Sequence, residues 1–453
     1  MTRLTREDTV DGGRLAPAPA RPSGAQLVRG LSLLGTVALV VGNMVGTSVY
    51  TLPASLAKET GPYGIVAWAF VAAGYFFVAL VYSRLGTRFP RTGGPYVYAR
   101  MAFGDFTGFV TVWSYWVSAI IGNAAIVTGA VGYVAGFSPL LESSPALRFG
   151  LALTLVWGLC LINVLGVRQS GRVQTAVMFL NLIPLALVAI ASLFYFDPAN
   201  LHPFAPNGLG SIAAGAALVV WAYSGIESAT VPAEEVQAPE RTIRRGTMIG
   251  YWVGTAIFLL TALAIAGSLP NATVAGSARP IAVAAEHALG SWAGAIVGLS
   301  AIAAALGTLN GWILMSGRIP LSAAEDGLFF RPLAAIHPRF HTPAVGLVVG
   351  AIVTSLMLTL YFSQTLLDAF NFIVLLSVLT TLLPHLLAAA AEFTLAGRGA
   401  AMPKLVAAIA FLFVLYTMYG VGWSVIGWGT LLVAAGLPLY PLLRRAGAPG
   451  ARR

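Results

Sequence analysis

The 453-residue chain has a single cysteine, only 16 acidic residues and 9% charged residues in all. One thiol, Cys160 inside an apolar run, excludes an intramolecular disulfide and any cysteine metal cluster, and reads as a small buried hydrophobe. No metal-ligand spacing, phosphate-binding loop or nucleophile triad occurs, so no metal or cofactor is expected and the chain does not read as an enzyme. The scarcity of charge is matched by 58% hydrophobic residues, more apolar surface than one soluble core can bury. Fifty glycines, many inside apolar runs, suit close helix approach. The composition implies an all-α integral membrane protein rather than a barrel.

Twelve apolar stretches, each near the ~20 residues that cross a bilayer, centre on Val45, Phe70, Ile120, Val156, Leu185, Val220, Ile257, Ala303, Val353, Leu379, Leu412 and Leu432. The net charge of +10 is spread over short loops, which argues against a nucleic-acid partner. Threading twelve spans leaves Lys58, Arg148 and Arg279 on one face and the other 23 basic residues, Arg318 among them, on the opposite face. The positive-inside bias makes that second face cytoplasmic, with both termini on it, in a multi-pass protein of the cell membrane. Residues 1–29, rich in Arg, Pro and acidic residues, read as a disordered cytoplasmic tail rather than a signal peptide. Spans one to five (30–200) and six to ten (208–398) overlay as a five-plus-five inverted repeat. Residues 403–443 carry spans eleven and twelve, and 444–453 form a second cytoplasmic tail.

The overlay rests on two interruptions in equivalent places: Gly42-Asn43-Met44-Val45-Gly46-Thr47-Ser48 in span one and Ser224-Gly225-Ile226-Glu227-Ser228 in span six. A break frees backbone groups that hydrocarbon cannot solvate, so it must line a polar cavity, and paired breaks mark a midplane substrate site. The helix resuming after Gly46 offers free N–H groups to a carboxylate, and carbonyls near Tyr223 and Ser224 offer themselves to an ammonium. Together they describe an α-amino acid. Either break alone could be a packing kink.

Among the acidic residues, Glu227 alone is expected deep inside a span, and Glu234, Glu235, Glu325 and Asp326 in cytoplasmic loops. An isolated intramembrane carboxylate is costly and faces a cavity, a proton path or a cation, which makes Glu227 a proton-sensing candidate. A static hydrogen bond to backbone is the plainer alternative. Tyr115, Trp116, Trp221, Tyr223 and Trp312 cluster by the breaks, whereas Trp423 and Trp428 suit the membrane interface. His385 in span ten is a second ionisable group at membrane depth. Ser118, Asn123, Asn163, Asn181 and Ser377 are uncharged site or packing residues, and Glu286-His287 belong to a semi-apolar stretch that could form a short amphipathic helix.

The runs 42–53 (Gly-Asn-Met-Val-Gly-Thr-Ser-Val-Tyr-Thr-Leu-Pro), 93–100 (Gly-Gly-Pro-Tyr-Val-Tyr-Ala-Arg), 221–228 (Trp-Ala-Tyr-Ser-Gly-Ile-Glu-Ser) and 325–329 (Glu-Asp-Gly-Leu-Phe) resemble the amino acid-polyamine-organocation (APC) family. Within it the chain looks most like the bacterial arginine/agmatine and basic amino acid/polyamine antiporters, over nearly all of 30–445. The resemblance implies a LeuT-like fold with substrate between spans one, three, six, eight and ten. It implies that Asn43, Gly46, Thr47 and Ser48 take the carboxylate and that Ile226 and the Tyr223 carbonyls face the α-amino group. It further implies that Trp221 and Trp312 gate, that Asn123 and Ser377 meet the substrate, and that Tyr115 and Glu227 form the acidic gate. The family usually shows Gly-Ser-Gly where Gly46-Thr47-Ser48 stands, His385 replaces a gate tyrosine, and Asn181 stands where proton-coupled relatives often carry lysine. That last difference mildly favours exchange.

These features point to secondary transport of an amino acid or amine within the bilayer, with cationic amino acid exchange ahead of proton-coupled symport of neutral amino acids. A non-transporting sensor or partner subunit is the alternative from another class, disfavoured by short loops. Monomer and homodimer both remain open.

Overall fold

The computed structural model describes residues 26–277, 279–361, 366–397 and 399–447; most of the N-terminal tail, Arg398 and the last six residues lie outside this range. The first half runs α1 (Leu33–Met44), α2 (Thr47–Glu59), α3 (Gly64–Arg88), α4 (Pro95–Phe103), α5 (Asp105–Ala135), α6 (Pro139–Ser143), α7 (Pro145–Leu165) and α8 (Val167–Leu193). The second runs α9 (Ile212–Tyr223), α10 (Pro239–Ser268), α11 (Asn271–Gly276), α12 (Pro280–Leu289), α13 (Trp292–Glu325), α14 (Ala344–Tyr361) and α15 (Leu366–Leu395). It is followed by α16 (Ala401–Gly420), α17 (Trp423–Gly436) and α18 (Leu439–Gly447). Among the described residues there is no strand, only an isolated parallel bridge between Leu31 and Val236.

Among the described residues ten helices are long and apolar enough to cross a membrane, the α1–α2 pair counting as one, and two shorter apolar helices, Leu209–Tyr223 and Ala344–Thr359, fall where spans six and nine are expected. Helix starts follow local chemistry. The Ser32 hydroxyl accepts from the Gly35 N–H at 3.2 Å to cap α1, and Ser144 followed by Pro145 starts α7. The α1–α2 span is 89% buried, against 17% for the last span, so the first interruption lies at the core and the last helices at the rim. Leu161, Leu180, Leu187, Leu299 and Leu412 are all more than half exposed, as lipid-facing leucines must be. Trp423 and Trp428 are exposed as well, at 77% and 53%. The stretch around Glu286-His287 forms α12, which buries Pro280, Ile281, Ala282, Ala284 and Ala285.

Glu235 lies between α9 and α10 as expected, yet it is fully buried, and Glu392, within α15, is only 5% exposed, so Glu227 is not the only buried carboxylate. Each has an arginine. Arg318, expected in a loop, lies inside α13 with no exposure and grips Glu235 through Nε–Oε2 at 2.8 Å and Nη2–Oε1 at 3.0 Å. Glu392 meets Arg84 at 2.9 Å.

Candidate functional site

Both interruptions are present. Helix α1 stops at Met44 and α2 resumes at Thr47, leaving Val45 and Gly46 between them. The freed carbonyls are taken by neighbours: Asn181 Nδ2 donates to Val45 O at 2.6 Å and Thr308 Oγ1 to Gly42 O at 2.8 Å. Asn181 is itself held by the Tyr50 hydroxyl at 2.7 Å. Gly46 sits so close to the Thr308 side chain that a Cβ would collide with it. Helix α2 begins without a side-chain cap, which leaves its first-turn N–H groups available to an anion, and the buried Thr47 Oγ1 has no partner among the described residues. The Ser48 hydroxyl reaches back across the break to Met44 O at 3.1 Å.

The second interruption is longer. After Tyr223 the chain turns from Ser224 to Pro232 before a single 3-10 turn at Ala233–Glu235. Tight turns hold it: Ser228 N donates to Gly225 O at 3.0 Å and Thr230 N to Glu227 O at 2.8 Å. Gly225 adopts φ +115°, and a Cβ there would strike the Cβ of Asn43, so the two breaks touch at this glycine. Asn43 Nδ2 completes the contact by donating to Ser228 Oγ at 2.8 Å, beside the Met315 sulfur at 3.0 Å.

Glu227 caps its own turn. Its Oε2 accepts the Gly225 N–H at 3.1 Å and its Oε1 accepts the Tyr115 hydroxyl at 2.7 Å. His385 Nε2 stands 3.8 Å from the same carboxylate, and its Nδ1 lies 2.8 Å from the Tyr82 hydroxyl. A buried chain Tyr115, Glu227, His385, Tyr82 thus joins α5, the second break, α15 and α3. The Trp312 ring meets Tyr115 edge-on at 6.4 Å, while Trp221 and Trp116 keep only a sliver of exposure.

The other expected site residues have the following partners. The Tyr223 side chain stacks on Tyr75 at 4.9 Å and donates to Thr255 Oγ1 at 3.1 Å, while its carbonyl accepts the Ile226 N–H at 3.2 Å. Ser224 Oγ returns to Val220 O at 3.4 Å. Ser118 bonds Ser377 O at 3.0 Å and the Thr381 hydroxyl, and Ser377 returns to Ser118 O at 3.2 Å, a polar seam between α5 and α15. Asn123 is buried with Oδ1 unpartnered among the described residues, and Asn163 joins Asn310 at 2.9 Å on the far side of α13. Sequence reasoning missed Tyr82, Thr308 and Met315, whose roles follow only from partners more than 80 positions away.

A family model described as amino acid permease matches residues 31–439. The chain belongs to the amino acid permease family. This permease, a member of the APC group, is 32% identical over 369 residues to the cadaverine/lysine antiporter of Escherichia coli K12, covering 78% of this chain and 81% of that protein. It is 30% identical over 383 residues to a Bacillus subtilis protein provisionally named an arginine/ornithine antiporter, with the same two coverages. It is 27% identical over 416 residues to the putrescine transporter PotE of Escherichia coli K12, covering 89% and 94%. The permease is therefore a transporter, not an enzyme, and a multi-pass protein of the cell membrane.

Proposed function

We propose that the permease exchanges cationic amino acids for related amino acids or amines across the cytoplasmic membrane by alternating access. The observation that carries this reading is the meeting of the two breaks, through Asn43 and Ser228 at 2.8 Å and through Gly225, in the interior of the bundle. Two half-helix ends then flank one site with opposite polarity. The α2 start with Thr47 and Ser48 takes the carboxylate, and the chain at Tyr223–Ile226 takes the ammonium. Trp221 and Trp312 close over the side chain, whose cationic end suits an indole face. Asn123 lies on the side-chain branch. Relatives named for lysine and cadaverine or for putrescine support a basic substrate.

The architecture in this reading has twelve spans, the ten long helices plus those containing α9 and α14, in a LeuT-like five-plus-five inverted repeat with α16–α18 outside it. Both termini are cytoplasmic, consistent with the segregation of basic residues. Substrate need only tip two states of similar free energy, outward-open and inward-open.

The 3.8 Å approach of His385 to Glu227 favours a second reading, proton-coupled symport of neutral amino acids, because such a pair can carry a proton through the cycle. Uptake of radiolabelled arginine and of radiolabelled leucine into proteoliposomes separates the two. Arginine uptake only into vesicles preloaded with arginine, lysine or a diamine is the expected result. Gradient-driven accumulation of leucine into empty vesicles would establish symport instead.

A further inference from the structure

Helix α10 presents Arg241, Arg244, Arg245, Met248, Ile249 and Trp252 at spacings of three and four, which align them on one face. The three arginines are exposed, as are Ile249 at 42% and Trp252 at 57%, while the opposite face buries Thr242, Ile243, Gly246 and Gly250. An open cleft of about 450 Å³ lies along the arginine end, bounded by Thr87 from the last turn of α3. Glu240 is its one acidic wall residue, so the cleft keeps an excess of two positive charges.

These arginines differ from those that hold the fold together. Arg84, Arg91, Arg100 and Arg318 each engage a carboxylate, whereas none of Arg241, Arg244 and Arg245 enters an ion pair among the described residues. Three guanidiniums therefore stand together at the end of a membrane-crossing helix. The same stripe continues into the apolar part of that helix as Met248, Ile249 and Trp252. Guanidinium forks match phosphate oxygens, and an apolar track beginning at the phosphate matches an acyl chain.

We propose that this cleft binds one anionic phospholipid, its phosphate headgroup held by Arg241, Arg244 and Arg245 and an acyl chain lying along Met248, Ile249 and Trp252. Free phosphate shares the headgroup chemistry but leaves the apolar track unused, so the site is assigned to lipid. Basic clefts between helices at the cytoplasmic edge of membrane proteins favour anionic headgroups in general.

The test is native mass spectrometry of the delipidated, full-length protein titrated with phosphatidylglycerol or phosphatidylcholine. The R241Q/R244Q/R245Q variant should bind phosphatidylglycerol roughly a hundredfold more weakly, from the loss of three charges near the headgroup, with phosphatidylcholine binding unchanged. The control R168Q/R172Q, which neutralises two exposed arginines at the start of α8, should leave phosphatidylglycerol binding intact. Equal loss in the control would reduce the effect to general surface charge and overturn the proposal. Wild-type binding by the triple variant would overturn it too, and so would full displacement of phosphatidylglycerol by excess inorganic phosphate.

Discussion

The two interruptions solve one problem in different ways. The first is two residues long, and its freed carbonyls are met by neutral side chains from other helices, Asn181 from α8 and Thr308 from α13. The second runs from Ser224 to Pro232 and is held by its own turns and by the carboxylate of Glu227, which bonds its own Gly225 N–H. The first geometry is set from outside by groups that do not ionise near neutral pH. The second depends on an ionisable group within the break, so protonation and backbone shape are linked there and not in the first.

The largest effect is expected where the second break is anchored. Glu235 follows it directly and pairs bidentately with Arg318, both without exposure, and Leu31 bridges to Val236 beside them. Arg318→Met leaves an uncompensated buried carboxylate, which costs about 3–5 kcal/mol. Arg318→Met with Glu235→Met should be more stable than Arg318→Met alone, read as the melting temperature in detergent. A double variant less stable than the single one would mean that the pair does not act as a unit.

Next comes the glycine where the breaks touch. Gly225→Ala meets both a left-handed φ, costing roughly 1–2 kcal/mol, and the Cβ of Asn43, adding roughly 1–3 kcal/mol of overpacking. Arginine exchange should fall to background. Gly132→Ala, with nothing within 4 Å of the new Cβ, should be silent in the same assay.

Glu227→Gln tests the charge itself. The amide can still accept from Tyr115, but it turns an NH2 toward the Gly225 N–H, which then lacks an acceptor at a cost of about 1–3 kcal/mol. Exchange should slow several-fold, and its dependence on pH should flatten, since the group that links charge to the second break is gone. A steep pH profile retained in this variant would move proton sensing away from Glu227, with His385 the next candidate.

Much of the frame was legible because interruption and hydropathy are local properties. Polar small residues at 42–48 and 224–228 mark where the helices stop, and the semi-apolar stretch at 280–289 forms its helix. Partners across the bundle were not legible. Arg318 reads as a loop residue until Glu235, 83 positions away, is found against it, and His385 shows no partner until Tyr82 does, 303 positions away. Periodicity tells which face a residue occupies but not what faces it, so the bonds that Ser118 and Ser377 make to each other across α5 and α15 could not be read from the sequence. The second break runs on to Pro232, past the expected end at Ser228.

The smallest effect sharpens the comparison from the side of the first break. Asn181→Ala removes the donor to Val45 O and the acceptor of the Tyr50 hydroxyl. Tyr50 keeps Ser300 at 2.7 Å, and an under-satisfied carbonyl is tolerated better than an orphaned N–H, so the loss should approach one net hydrogen bond, about 1 kcal/mol. Exchange should persist at reduced rate with an unchanged pH profile, because no ionisable group has been removed. Asn181→Lys is the complementary change: an ammonium at Val45 O makes the first break charge-dependent, as the second already is. Its exchange rate should acquire a new pH dependence that Asn181→Ala lacks, measured in vesicles clamped at the same pH on both sides. Identical profiles for the two variants would show that the first break is insensitive to charge at this position.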